Sequence, residues 1–235
     1  MTSWLLLGAL LAQTPDAQYL ESEVKGLRRQ LMDWAGLTRY GSDNTEIKLK
    51  DGEQRVVFLG DEITENMPAS FFANRPWFNR GIARQASAQM LVRFQQDVVS
   101  LKPAVVVIQA GLGDLAGYAG PATLGAIQDH YKSMVAIAQA NKIKVVLTSA
   151  TPVCNCPEKY SARRPYGKIL GLNEWLEEFA GETGSVYVNY FKLFAKNRAI
   201  DPTLSDDGLL PNEAGYAKLT AAAEAAVNQA LVALK

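Results

Sequence analysis

Four short segments gather the groups able to move a proton or hold a ligand. Gly60-Asp61-Glu62-Ile63-Thr64 sets two adjacent carboxylates directly after a β-branched run, and Gly111-Leu112-Gly113-Asp114 sets one after another such run. Asn79-Arg80-Gly81-Ile82 carries a guanidinium, with Arg84 close behind, and Asp206-Asp207-Gly208-Leu209-Leu210-Pro211-Asn212 leads into the last helical stretch. Paired carboxylates divide acid and base roles when their surroundings push their pKa values apart, and they also hold hard cations through oxygen. Glycines at such turns expose backbone N–H groups that suit an anion or a developing oxyanion. Serine chemistry needs an imidazole, and the chain has one histidine, His130. It sits in a long helical stretch and reads as a surface residue without a ligand. Ser205 precedes two aspartates but has no visible general base, so it reads as a loop or capping residue. Cys154 and Cys156 with His130 fall short of the four ligands of a closed zinc site, and no metal or other cofactor is expected. The redox state of the two cysteines stays open, because a bridge between residues two apart is strained and thiols suit a reducing compartment.

The elements around these segments follow a simple alternation. Short apolar runs at 55–60, 77–82, 104–110, 144–149 and 186–189 read as buried strands. Between and after them, 85–100, 123–141, 166–183 and 213–234 show helical periodicity. This is the pattern of right-handed βαβ crossovers and a parallel sheet covered on both faces. In such a sheet ligands bind beyond the carboxyl ends of the strands, where the four segments lie. Upstream, 18–34 reads as an amphipathic helix with Leu20, Val24, Leu27, Leu31 and Trp34 at three- and four-residue steps, and 36–52 as a polar connecting loop. Residues 1–17, 18–53 and 54–235 are therefore expected to be an apolar leader, an N-terminal helix with its loop, and a single α/β domain.

Taken together, R-V-V-F-L-G-D-x-I-T, N-R-G-I, Q-M-L-V-R-F-Q-Q-D-V, L-K-P-x-V-V-V-I and D-G-L-x-P-N-x-A-G-Y resemble the blocks of the GDSL or SGNH hydrolases, a family of lipases, esterases and acylhydrolases. The resemblance implies a flavodoxin-like three-layer αβα sandwich with about five parallel strands. It also implies a serine nucleophile, a glycine N–H and an asparagine amide for the oxyanion, and an Asp-x-x-His base pair. Matched residue by residue, Gly81 and Asp207 are kept. Glu62 falls at the nucleophile, Gly113 at the asparagine and Leu210 at the histidine. An unactivated or missing nucleophile and a missing base each disable acyl transfer, and members of a triad act as a unit. Ordinary serine esterase activity is therefore expected to be absent, and Glu62→Ser with Gly113→Asn and Leu210→His is expected to bring it back.

Two functions remain on this reading. One is a non-catalytic binding protein for an acylated or plain carbohydrate or an ester-like ligand, contacted by Asp61, Arg80, Arg84 and Asp114. The other is a hydrolase that uses Glu62 and Asp207 as a carboxylate pair, glycosidase-like or cation-assisted. In either case Glu62 needs Arg80, Arg84, backbone N–H groups or solvent as a partner, because an unpaired buried carboxylate is costly. Asp61 and Asp114 are expected to serve the scaffold first. Phe71, Phe72, Trp77 and Phe78 are expected to pack in the core, and Lys159, Arg163, Arg164 and Lys168 to form a solvated loop and helix start. Twenty-four basic and 24 acidic residues cancel, which leaves no field to draw the chain to nucleic acid. The apolar run at 4–12 is too short to span a bilayer. It matches a signal-peptide core or an apolar segment packed on the domain, so the expected location is periplasmic or secreted in the first case and cytoplasmic in the second.

Overall fold

The computed structural model describes residues 15–48, 50–154 and 160–232. The leader 1–14 and residues 155–159, which include Cys156 and Lys159, lie outside the described residues. Two helices come first, α1 (Pro15–Met32) and α2 (Thr38–Glu46). The α/β body then runs β1 (Val56–Gly60), α3 (Glu62–Glu65), α4 (Ala69–Phe72), β2 (Trp77–Gly81), α5 (Ser87–Asp97), β3 (Val105–Ile108), α6 (Leu112–Leu115), α7 (Leu124–Ala140) and β4 (Lys144–Thr148). It closes with α8 (Tyr160–Arg163), α9 (Tyr166–Thr183), β5 (Val186–Val188), α10 (Tyr190–Phe194), a small antiparallel pair β6 (Ala195–Lys196) and β7 (Ala199–Ile200), and α11 (Glu213–Val232).

The main sheet has the order β2-β1-β3-β4-β5 and every pairing is parallel. All residues of β1 and β3 are buried, because helices cover both faces and the strands need no polar side. Alternate strand residues feed two cores. Val56, Phe58, Val105 and Val107 meet α11 through Leu219, Ala223 and Val227. Val57, Leu59, Val106 and Ile108 meet α5, α7 and α9 through Met90, Phe94, Ile127, Tyr131 and Leu176. Each such side chain withdrawn from water contributes about 1.5–3 kcal/mol, which makes these two layers the main source of cohesion. Phe58, Phe71, Phe72 and Trp77 form an aromatic cluster in the first core, edge-to-face except for the tilted Phe58–Trp77 pair.

Each of the five strands and four long helices read from the sequence is present. The connector at 36–52 differs, since it contains α2 instead of a plain loop. Its residues are almost all polar and only Tyr40 is buried, so no apolar period announces it. It is held by polar contacts: Asn44 Nδ2 donates to Asp97 Oδ1 at 2.7 Å, and the Tyr40 hydroxyl donates to the Gly81 carbonyl. The strand order reverses direction between β1 and β3, and their carboxyl ends place Asp61-Glu62 and Gly111–Asp114 on either side of that switch point.

Candidate active site

The turn after β1 is built by Asp61. Its carboxylate caps α3 by accepting from Ile63 N at 3.0 Å, and Gln109 Nε2 reaches its other oxygen at 3.4 Å. The side chain is fully buried. Burial, reinforced by the charge of Glu62, pushes the Asp61 carboxyl well above the usual carboxylate range.

Glu62 is also buried, and both of its carboxylate oxygens are engaged. Oε2 accepts the Arg84 backbone N–H at 2.8 Å, and Oε1 lies 3.7 Å from Arg164 Nη2. Arg164 is 1% exposed, so its guanidinium has exchanged water for protein partners. It donates through Nε to the Leu112 carbonyl at 3.1 Å and through Nη2 to the Tyr118 hydroxyl at 3.2 Å, with the Tyr118 and Tyr160 rings alongside. This corrects the reading of Arg164 as part of a solvated cluster, whereas Arg163 and Lys168 are exposed as expected. A cation in that run can be withdrawn from water because the carboxylate, the carbonyl and the phenol wait for it.

The remaining motif residues are held by local contacts. Gly81 donates its N–H to Asn79 Oδ1 at 2.9 Å, and a Cβ there would stand 2.1 Å from Glu65 N, so α3 can lie on this strand end only over a glycine. A Cβ on Gly113 would stand 2.1 Å from the Gln85 carbonyl oxygen. The turn after β2 therefore fills the space an asparagine side chain would need. The expected three-residue restoration is corrected accordingly, for it would also require the Gln85 turn to move. Asp207 uses Oδ1 to accept from Leu209 N at 2.8 Å and Leu210 N at 2.7 Å, and Ser205 Oγ approaches the same atom at 3.3 Å. Leu210 packs half-buried against the first core. Arg80 is turned toward α2, where Asn44 Oδ1 accepts from its Nε and Nη2 at 2.9 and 2.7 Å and the Tyr40 ring lies 4.6 Å away. Its guanidinium is thus spent on the scaffold, and Glu62 pairs with Arg164 instead.

Glu62 and Asp207 share no hydrogen bond among the described residues. Both, with Asp61, act on the Tyr216 hydroxyl, whose pKa is raised first by burial and then by these three acids. That hydroxyl donates to the Ile63 carbonyl at 3.0 Å. Among the described residues, no group of three His, Cys, Asp or Glu is placed to hold a metal ion, and Cys154 is disulfide-bonded.

His130 differs from expectation. Its Nδ1 lies 2.8 Å from Ser87 Oγ, which in turn donates to Asp114 Oδ1 at 2.6 Å, while Ser87 N donates to Asp114 Oδ2 at 2.8 Å. Asp114 thereby anchors the first turn of α5. The hydroxyl stands between the acid and the imidazole, its proton is committed to the acid, and Ser87 is fully buried. Neither residue type nor spacing signals this trio, because its members come from three separate elements.

Beside Glu62, the Arg84 turn opens on a cavity of about 310 Å³ lined by Trp34, Ile82, Arg84, Gln89 and Tyr118. Trp34 is exposed, and the Arg84 guanidinium lies 4.5 Å from the Tyr118 ring centre.

The comparisons agree with this fold. Residues 40–218 match the model of the GDSL-like lipase/acylhydrolase family. The crystal structure of a protein from Bacteroides fragilis assigned as an acylhydrolase is 36% identical, with a TM-score of 0.78 over 84% of this chain and 98% of that one. A GDSL-like lipase from Bacteroides thetaiotaomicron is 34% identical, with a TM-score of 0.77 over 83% and 98%. An acetyl xylan esterase, 19% identical over 74% of this chain and 99% of its own, shares the fold with a TM-score of 0.61. No curated protein matches the chain.

Proposed function

The chain belongs to the GDSL-like lipase/acylhydrolase family, and within it we propose a non-catalytic member that binds an acylated or plain carbohydrate beside a disabled hydrolytic centre. The observation that carries this reading is the buried pair of Glu62 and Arg164. A carboxylate engaged by a guanidinium and the Arg84 N–H stands where the family's attacking hydroxyl is expected. Its negative charge would repel a tetrahedral oxyanion. Support also comes from Leu210, which brings no imidazole beside Asp207, and from Asp207 Oδ1, which is spent on its own loop. A proton relay has neither its donor nor its acceptor in place.

The adjoining cavity supplies the binding chemistry. An exposed indole at Trp34 and the Tyr118 ring offer flat apolar faces, and Arg84 presents an exposed guanidinium at their edge. Such a combination suits a sugar ring carrying an acyl or carboxyl group. Isothermal titration with acetylated and deacetylated oligosaccharides should give binding that Trp34→Ala or Arg84→Ala weakens, with no acetate released. Steady hydrolysis of short-chain nitrophenyl esters by the unaltered protein would overturn the proposal, and absence of binding across the panel would overturn the ligand class.

The buried Glu62 carboxylate beside the buried Asp61 carboxylate supports a second reading, hydrolysis by a carboxylate pair. Turnover of a glycoside panel, with or without Ca²⁺ or Mg²⁺, that Glu62→Gln abolishes would replace the binding reading with that one.

A further inference from the structure

We propose that α1 is a dimerisation element that pairs antiparallel with α1 of a second copy of this chain. The apolar residues of this helix are exposed: Leu20 60%, Val24 62%, Leu27 56% and Leu31 80%. Helices in proteins draw most of their stability from packing an amphipathic face, and α1 has 18 residues. These four residues follow steps of four, three and four, which is the narrow seam of a two-stranded coiled coil and not the broad stripe of a helix lying on a globular core. The far end of the element is fixed to the body. Asp33 accepts from Leu37 N and Thr38 N, Gln89 Nε2 donates to the Trp34 carbonyl, and Gln85 Nε2 donates to the Ala35 carbonyl.

Charge suits a second copy of this chain as the occupant. In an antiparallel pair Leu20 meets Leu31 of the partner, and Val24 meets Leu27 of the partner, so every layer is apolar. The positions flanking that seam then bring Glu21 opposite Arg28 of the partner, twice by symmetry. A parallel pair would instead set Glu23 against Arg28 of the partner, so charge exchange at Glu21 or at Glu23 separates the two directions. Within α1, Asp16, Glu21 and Glu23 balance Lys25, Arg28 and Arg29, so the helix has no excess charge to favour an anionic lipid surface.

Sedimentation equilibrium of the full chain tests this. A dimer is expected, and Leu27→Glu should raise its dissociation constant by about a hundredfold or more, since it forces a charge into an apolar seam. The thermal unfolding of the body should be nearly unchanged, because Leu27 is exposed. Glu21→Arg and Arg28→Glu should each weaken association about tenfold, and the two together should restore it. Three results would each overturn the proposal: a monomer at all concentrations, a dimer indifferent to Leu27→Glu and Val24→Glu, or rescue by Glu23→Arg with Arg28→Glu in place of the Glu21 exchange. Sedimentation with phosphatidylglycerol vesicles that Leu27→Glu abolishes would overturn it in favour of a lipid surface. Leu27→Glu leaves the apolar leader intact, so association through that leader would persist and be recognised.

Discussion

Two polar clusters flank the switch point of the sheet, and each holds half of what hydrolysis requires. After β1, Glu62 stands at the crevice with a guanidinium and a backbone N–H around it but no hydroxyl or imidazole. On the other side, Ser87, His130 and Asp114 supply a hydroxyl, an imidazole and a carboxylate within hydrogen-bond reach of one another. Yet the second cluster is closed to solvent at the hydroxyl and wired in the wrong order. A serine nucleophile needs the imidazole to take its proton and the acid to orient the imidazole. In this trio the acid takes the hydrogen bond itself. Composition of a cluster therefore decides nothing until access and order are known.

The sharpest way to break the contrast is to remove Arg164. Arg164→Met leaves the buried Glu62 carboxylate with the Arg84 N–H alone, and loss of one member of a buried ion pair costs about 3–5 kcal/mol. Urea unfolding should show a loss of that order. Adding Glu62→Gln should recover most of it, since the stranded charge is the source of the penalty. A loss below about 1 kcal/mol would mean that the pair is solvated and that the crevice is open to other chemistry.

The opposite cluster should respond less. Ser87→Ala strands one Asp114 oxygen and the His130 nitrogen while leaving the Ser87 backbone bond to Asp114, so about 1–3 kcal/mol is expected. A fluorophosphonate probe should leave Ser87 unlabelled in the folded protein. An adduct on Ser87 that His130→Ala prevents would show that the trio opens and is a nucleophilic centre, and the comparison would then reverse.

This contrast also explains what could be read from the chain before its shape was known. The strands were legible because each is a short β-branched run buried on both faces, and the motif blocks were legible because they follow those strands directly. Helix α2 was not, since its packing depends on Asn44 and Tyr40 and leaves no apolar period. Arg164 was hidden for a different reason. In sequence it is one of several cations before a helix, and only the fold brings it to Glu62, 102 positions upstream. The Ser87–His130 contact spans 43 positions and two helices, and neither residue stands in a motif of its own. Local pattern announces what burial and period impose; a polar pair formed across the fold has no local period to show.

The smallest effect concerns Asp61, which both clusters leave buried at the start of α3. Its carboxyl is raised in the folded protein, first by burial and then by Glu62, so the folded state holds this proton more tightly than the unfolded chain does. Stability must then fall as pH rises from the ordinary carboxylate value upward to the raised one, because over that window the folded state binds more protons. One such group gives a slope of at most about 1.4 kcal/mol per pH unit. Asp61→Asn keeps the cap on Ile63 N and removes the charge, so it should flatten that part of the stability profile and leave the acid side of it unchanged. Unfolding free energies measured from pH 4 upward will show this as a smaller decline in the variant than in the parent. An identical decline in both would show that Asp61 does not hold the extra proton.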